Sequence, residues 1–193
     1  MSINSETQKK SLLKRIPNYL TFFRTAVIPV ILVLYPIGIE SLQLFCAFLA
    51  CLAAMTDWLD GYIARTFSAE SKLGALLDPV ADKMLTTAAL ILLVQSGAVW
   101  AWLVGILLCR EIAISGLRLV ALQNNIDLSV TLAAKFKTLA LDIAIVCLLV
   151  NRPLFNWPFI EVGYICLWIS LILSLYTAFI YIRKVLYEAK IIS

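Results

Sequence analysis

Apolar residues fill this chain in six long stretches, each interrupted by a few polar positions at helical spacing. The pattern predicts six helices of membrane-spanning length, over about 19–37, 40–65, 73–95, 98–122, 130–150 and 158–186. The links after the first, third and fifth helices are short, and no soluble insertion, low-complexity tract or internal repeat separates them. We therefore expect an all-α integral membrane protein, one domain over residues 1–193, with a six-helix bundle over 18–187. Residues 1–17 precede it. There Leu12, Leu13 and Ile16 recur at helical spacing among Lys9, Lys10, Lys14 and Arg15, the pattern of an amphipathic interfacial helix. A solvated basic tail is the alternative. No small-residue cleavage site follows the basic residues, which argues against a secretory signal.

Composition strengthens the membrane reading. Of 193 residues, 62% are hydrophobic and only 15% charged, more apolar surface than a soluble fold of this size can bury. Placing both termini in the cytoplasm puts all but one of the 16 Lys and Arg residues on or near that side, Arg152 being the exception. The five cysteines are scattered through apolar runs with no C-x-x-C spacing, so they read as small buried hydrophobes. There is no histidine, which excludes a histidine-bound zinc. No nucleic-acid partner is expected.

Against this background, four carboxylates between residues 57 and 82 stand out: Asp57, Asp60, Asp78 and Asp82. Burying unpaired carboxylates costs several kcal/mol each, so they must be paired, metal-bound or open to water. On a helix, Asp57, Asp60, Gly61 and Ala64 share about 100° of arc, with Arg65 at its edge. Two acids thus lie beside two of the smallest side chains. After a polar break, Gly74, Asp78 and Asp82 form a second stripe at steps of four. If the two helices are antiparallel neighbours, the four acids converge. Oxygen-only ligands suit hard cations such as Mg²⁺ or Mn²⁺, and a two-metal site suits phosphoryl transfer.

Other polar positions interrupt the apolar runs. Asn18, Thr21 and Arg24 recur at steps of three near the start of the first helix. They are either interface anchors, Arg24 snorkelling to headgroups, or a polar cavity wall. The fourth helix carries Arg110, Glu111, Ser115 and Arg118, with Arg110 too deep for an ordinary flank. Glu111 either orients an arginine in a structural ion pair or lines a cavity. The fifth helix carries Lys135, Lys137, Thr138 and Asp142. Lys135 and Asp142 form either a buried pair or a cavity lining that binds an anion. The sixth helix, with hydroxyls but no acid or base through its membrane span, reads as packing.

Clustered acids for metals and a cationic set (Arg110, Arg118, Lys135, Lys137) on one membrane side would accommodate phosphate-bearing substrates, one of them a lipid. An unligated carboxylate could take a proton from an attacking hydroxyl. A cation-coupled transporter is the reading from another class. It is disfavoured because transporter sites sit near the bilayer midplane, commonly with repeat symmetry.

The spacing Asp57-x-x-Asp60-Gly61-x-x-Ala64-Arg65, eight residues, then Gly74-x-x-x-Asp78-x-x-x-Asp82 resembles the full signature of the CDP-alcohol phosphotransferases. The resemblance implies transfer of a phosphate-linked group from a CDP-linked donor to an alcohol, with release of CMP. It implies Asp57, Asp60 and Asp78 as metal ligands and Asp82 as general base and possible further ligand. Gly61, Ala64, Arg65 and Gly74 would shape the nucleotide end. The segments Ile16-Pro17-Asn18-x-Leu20-Thr21-x-x-Arg24, Arg110-Glu111-Ile112-x-Ile114-Ser115-x-Leu117-Arg118 and Lys135-x-Lys137-Thr138 resemble the bacterial branch that joins CDP-diacylglycerol to sn-glycerol 3-phosphate. Ala134 and Leu141 depart from that branch's pattern. Acceptors such as inositol phosphate, serine or a cardiolipin precursor are the alternatives within the family. The resemblance also implies a bacterial cytoplasmic membrane location and a homodimer.

Overall fold

Helix ends in this chain are set by proline, glycine and one threonine, and the computed structural model shows each at work. It describes residues 16–67, 72–124, 126, 131–152 and 157–188, with the side chains of 16–21 and 57–79 outside that description. Its helices are α1 (Ile16–Leu34), α2 (Glu40–Phe67), α3 (Lys72–Gln95), α4 (Ala101–Gln123), α5 (Leu132–Val150) and α6 (Phe159–Glu188). All six expected helices are present, with ends within three residues of expectation. The proposed interfacial helix lies outside the described residues, except that Ile16 and Pro17 already belong to α1.

The differences have local causes. α1 stops at Leu34 instead of 37 because Tyr35–Ile37, carrying Pro36, tightens into a 3-10 turn. Gly38 closes that turn in the left-handed region at φ 77°, its N–H donating to the Tyr35 carbonyl at 3.3 Å. Any residue with a Cβ would cost about 1–2 kcal/mol there. α4 starts at Ala101 instead of 98 because Trp100 is extended (φ −69°, ψ 133°). α5 starts where Thr131 caps it, the hydroxyl accepting from the Ala134 N–H at 3.3 Å.

The chain divides after Leu92 into two compact units. In the first, α1 packs on α2. α1 buries Val27, Ile28 and Ile31, while α2 buries Cys46, Ala47, Ala50 and Ala53. Both sets keep helical spacing, and the small residues of α2 allow close backbone approach. α3 buries Ala81, Leu85, Ala88 and Leu92 along one stripe.

In the second unit α6 is the spine, packed against both α4 and α5. Its buried residues run from Gly163 through Leu167, Ser170, Ser174, Thr177 and Tyr181 to Val185, one stripe along a 30-residue helix. Toward α4 it forms two clusters, Ile114 with Ala178 and Tyr181, and Ala121 with Ile126 and Val185, both joined by Leu117. Toward α5, a Cβ on Gly163 would lie 2.7 Å from Leu148 Cγ. Gly163→Leu should therefore overpack this crossing and destabilise the fold by about 1–3 kcal/mol, read as a lower thermal midpoint in detergent. An unchanged midpoint would mean that Leu148 simply moves aside.

Among the described residues α6 is the one helix long and apolar enough, by length and composition, to cross a membrane. Polar residues within α4 and α5 keep those helices from the same standard. Large apolar side chains nevertheless remain on the surface, Ile112 73% exposed and Phe179 66% exposed among them. The described cysteines are all free. Cys46 and Cys147 are buried as expected, but Cys109 is exposed on α4, a correction to the reading of all five as buried.

Candidate functional site

The helical backbone is continuous over residues 57–67 and 72–82, which fixes the register of the acidic motif. Asp57, Asp60, Gly61, Ala64 and Arg65 occupy the C-terminal part of α2; Gly74, Asp78 and Asp82 occupy the first three turns of α3. On each helix the acids therefore fall on one face, three or four residues apart. α3 begins at Lys72, so Pro79 is inside it and not at a helix start. Its missing N–H leaves the carbonyl of residue 75 without that helical donor. Side chains from 57 to 79 lie outside the description, while Asp82 is half-buried. No group of three His, Cys, Asp or Glu side chains gathers among the described residues. The donor set of the motif, carboxylate oxygens only and spaced to share helix faces, fits a hard divalent cation.

Side-chain geometry is described along α4, α5 and α6 of the second unit. Glu111, midway along α4, accepts from two cations through the same Oε1: Arg110 Nη1 at 2.8 Å and Lys137 Nζ from α5. The Arg110 and Lys137 side chains are 8% and 9% exposed, so both charges sit inside protein. Arg110 also reaches α6, where Nε donates to the Ser174 carbonyl at 2.9 Å and Nη2 donates to Thr177 Oγ1. Ser170 Oγ, one turn before Ser174, donates to the Lys137 carbonyl at 3.1 Å. Ser115 Oγ donates to the Glu111 carbonyl at 2.6 Å. Arg118 is exposed, its guanidinium carbon 5.7 Å from the centre of the Tyr181 ring.

Two of the expected acceptor-site cations, Arg110 and Lys137, thus meet at Glu111 between α4, α5 and α6, while Arg118 lies exposed on α4 against the Tyr181 ring. Lys135 does not join them. Two residues apart on a helix is about 200° of rotation, and Lys135 is exposed where Lys137 is buried. Lys135 is exposed and Asp142 only half-buried, which does not match the buried Lys135–Asp142 pair expected as one alternative. Thr138 Oγ1 donates to the Ala134 carbonyl at 3.2 Å. Arg24 is fully buried, which sets aside the reading in which it snorkels to headgroups. The side chains of Asn18 and Thr21 lie outside the description. Reading α6 as packing overlooked Ser174 and Thr177. The available signal was three hydroxyls at steps of four and three, Ser170, Ser174 and Thr177, on an otherwise apolar face.

Chemically, the cluster keeps positive charge in reserve. Arg110 has five N–H donors and uses three on protein; Lys137 uses one of three on Glu111. The rest can hold an anion. Comparisons with known proteins identify the family. A family model described as CDP-alcohol phosphatidyltransferase matches residues 14–176, from before α1 well into α6. Similar proteins carry the name CDP-diacylglycerol–glycerol-3-phosphate 3-phosphatidyltransferase. The one from Bacillus subtilis (strain 168) is 37% identical over 184 residues, covering 88% of this chain and 94% of that protein. The one from Blochmanniella floridana is 35% identical over 175 residues, covering 88% and 90%. The one from Pseudomonas fluorescens is 36% identical over 177 residues, covering 87% and 88%. With its acidic motif in helical register and the match extending over most of its length, the chain belongs to the CDP-alcohol phosphatidyltransferase family.

Proposed function

We propose that this protein transfers the phosphatidyl group of CDP-diacylglycerol to sn-glycerol 3-phosphate, yielding phosphatidylglycerophosphate and CMP, at the cytoplasmic face of a bacterial membrane. The observation that carries this reading is that its relatives, named for that transfer, align with nearly 90% of the chain. In the reaction an acceptor hydroxyl oxygen bonds to the phosphorus bearing diacylglycerol, and the bond from that phosphorus to the CMP oxygen breaks. Asp82 accepts the hydroxyl proton. Asp57, Asp60 and Asp78, with Asp82 as a possible fourth, would hold Mg²⁺ or Mn²⁺, two per site, which when bound neutralise the diphosphate and polarise its phosphorus. Gly61, Ala64 and Gly74 keep side-chain bulk away from the nucleotide, and Arg65 supplies a charge to it.

The acceptor phosphate falls to Arg110, Arg118 and Lys137. Arginine suits bidentate phosphate contact, and lysine acts as a point charge. Lys135, exposed on the other face, adds only longer-range attraction. Six membrane spans with both termini cytoplasmic are supported by helix length and by the placement of Lys and Arg. Even the shortest helices, at 19 residues, extend about 28 Å, close to the roughly 30 Å of bilayer hydrocarbon. A homodimer rests on the family resemblance alone.

The test is kinetic. Hydrogen bonds to charged groups contribute about 1.5–3 kcal/mol each, so Arg110→Ala or Arg118→Ala should raise the acceptor KM by roughly 10–100-fold. The donor KM should barely move. Wild type should use sn-glycerol 3-phosphate far better than glycerol, serine or inositol phosphate. Equal turnover of serine or glycerol would remove the named acceptor while leaving the phosphotransferase class intact.

A further inference from the structure

We propose that Thr177, together with the Ser174 carbonyl, acts as a positioning group that presents Arg110 to the acceptor's phosphate. The inference rests on the assignment of Arg110 to that phosphate. Ser170, Ser174 and Thr177 are all fully buried on α6, a helix that otherwise buries apolar residues and glycine on this stripe up to Tyr181. A buried hydroxyl is unfavourable unless bonded; Ser170 and Thr177 are bonded, whereas Ser174 Oγ is buried without a partner among the described residues and Ser174 serves Arg110 through its carbonyl. Thr177 is fully used. Its Oγ1 lies 2.8 Å from the Leu173 carbonyl and 3.0 Å from that of Ser174, either of which can take its single proton. The same oxygen accepts from Arg110 Nη2.

The consequence for Arg110 is a guanidinium held from three directions. Nε is bound to Ser174 O, Nη2 to Thr177 and Nη1 to Glu111. One N–H remains on each terminal nitrogen for contact with a phosphate oxygen. An arginine side chain has several rotatable bonds to freeze on binding a ligand. Held this way, most are frozen before the ligand arrives, so the ordering cost does not fall on acceptor binding. Glu111 fixes the guanidinium to α4 and α5 through Lys137, and Thr177 fixes it to α6. The aspartate motif contains neither residue.

The experiment compares KM for both substrates and kcat in wild type, Thr177→Val, Thr177→Ala, Thr177→Ser and Arg110→Ala, using the full chain in detergent micelles. Thr177→Val keeps the shape and removes the acceptor; the acceptor KM should rise about 5–20-fold, with donor KM and kcat within about two-fold of wild type. Thr177→Ala, which removes the same acceptor without adding bulk, should show the same split. Thr177→Ser keeps the hydroxyl and should hold the acceptor KM near wild type. If Arg110→Ala raises the acceptor KM while Thr177→Val and Thr177→Ala do not, the positioning role is wrong and the acceptor assignment stands. Equal impairment of Thr177→Ser and Thr177→Val would show that the site responds to any change of packing and not to loss of the hydroxyl, and would overturn the proposal. No change in acceptor KM for Arg110→Ala would remove the acceptor assignment, and this inference with it.

Discussion

Treating the purified protein with EDTA should abolish CMP release, and Mg²⁺ or Mn²⁺ should restore it. The reason is electrostatic. Asp57 and Asp60 are three residues apart on α2, and Asp78 and Asp82 four apart on α3, so helical geometry alone brings each pair to about 5–6 Å between Cβ atoms. Two like charges near 5 Å repel by about 3 kcal/mol at an effective dielectric near 20. A diphosphate arriving beside them adds further negative charge. The second unit gathers cations, but Glu111 already neutralises part of that charge, and the remainder is assigned to the acceptor. Divalent cations held by these carboxylates would therefore favour donor binding as well as speed the chemistry. Asp57→Asn and Asp60→Asn should accordingly weaken metal activation as well as rate. Full turnover in metal-free buffer would overturn the two-metal reading.

The six helices were legible because each is an apolar run too long for a strand, and their ends were less so. Pro36 with Gly38, and the extended Trp100, move the ends of α1 and α4 by three residues. Turn geometry decides such shifts, and apolar periodicity carries little of it. The acidic motif was legible because fixed spacing on helices is itself geometry. The cation cluster was legible only in part. Arg110 and Glu111 are neighbours in sequence, but the partner that Glu111 selects on α5 depends on how that helix is rotated. Lys135 and Lys137 carry the same charge, and only Lys137 is turned inward. Thr177 was missed because hydroxyls on an apolar helix ordinarily bond to their own backbone, and Ser174 because it contributes only its carbonyl, which any residue carries. What distinguishes Thr177 is an arginine 67 positions away in sequence.

Asp82→Asn should lower kcat by roughly 10²-fold or more while leaving both KM values and the metal requirement largely in place. Asparagine has nearly the same shape as aspartate and can still offer an oxygen, but it cannot take up a proton near neutral pH. The substitution thus isolates proton transfer from packing. Asp82 is suited to the role by position. It is the last acid of the motif, a full turn beyond Asp78 on the same face of α3, and half-buried. The measurement is kcat at saturating donor, acceptor and metal, with the metal concentration for half-maximal activity determined in parallel. A large fall in kcat with that concentration unchanged assigns Asp82 to proton transfer. A fall accompanied by a large rise in the metal concentration required makes Asp82 chiefly a ligand. Near-normal kcat would rule it out as the base and leave the hydroxyl proton to another group.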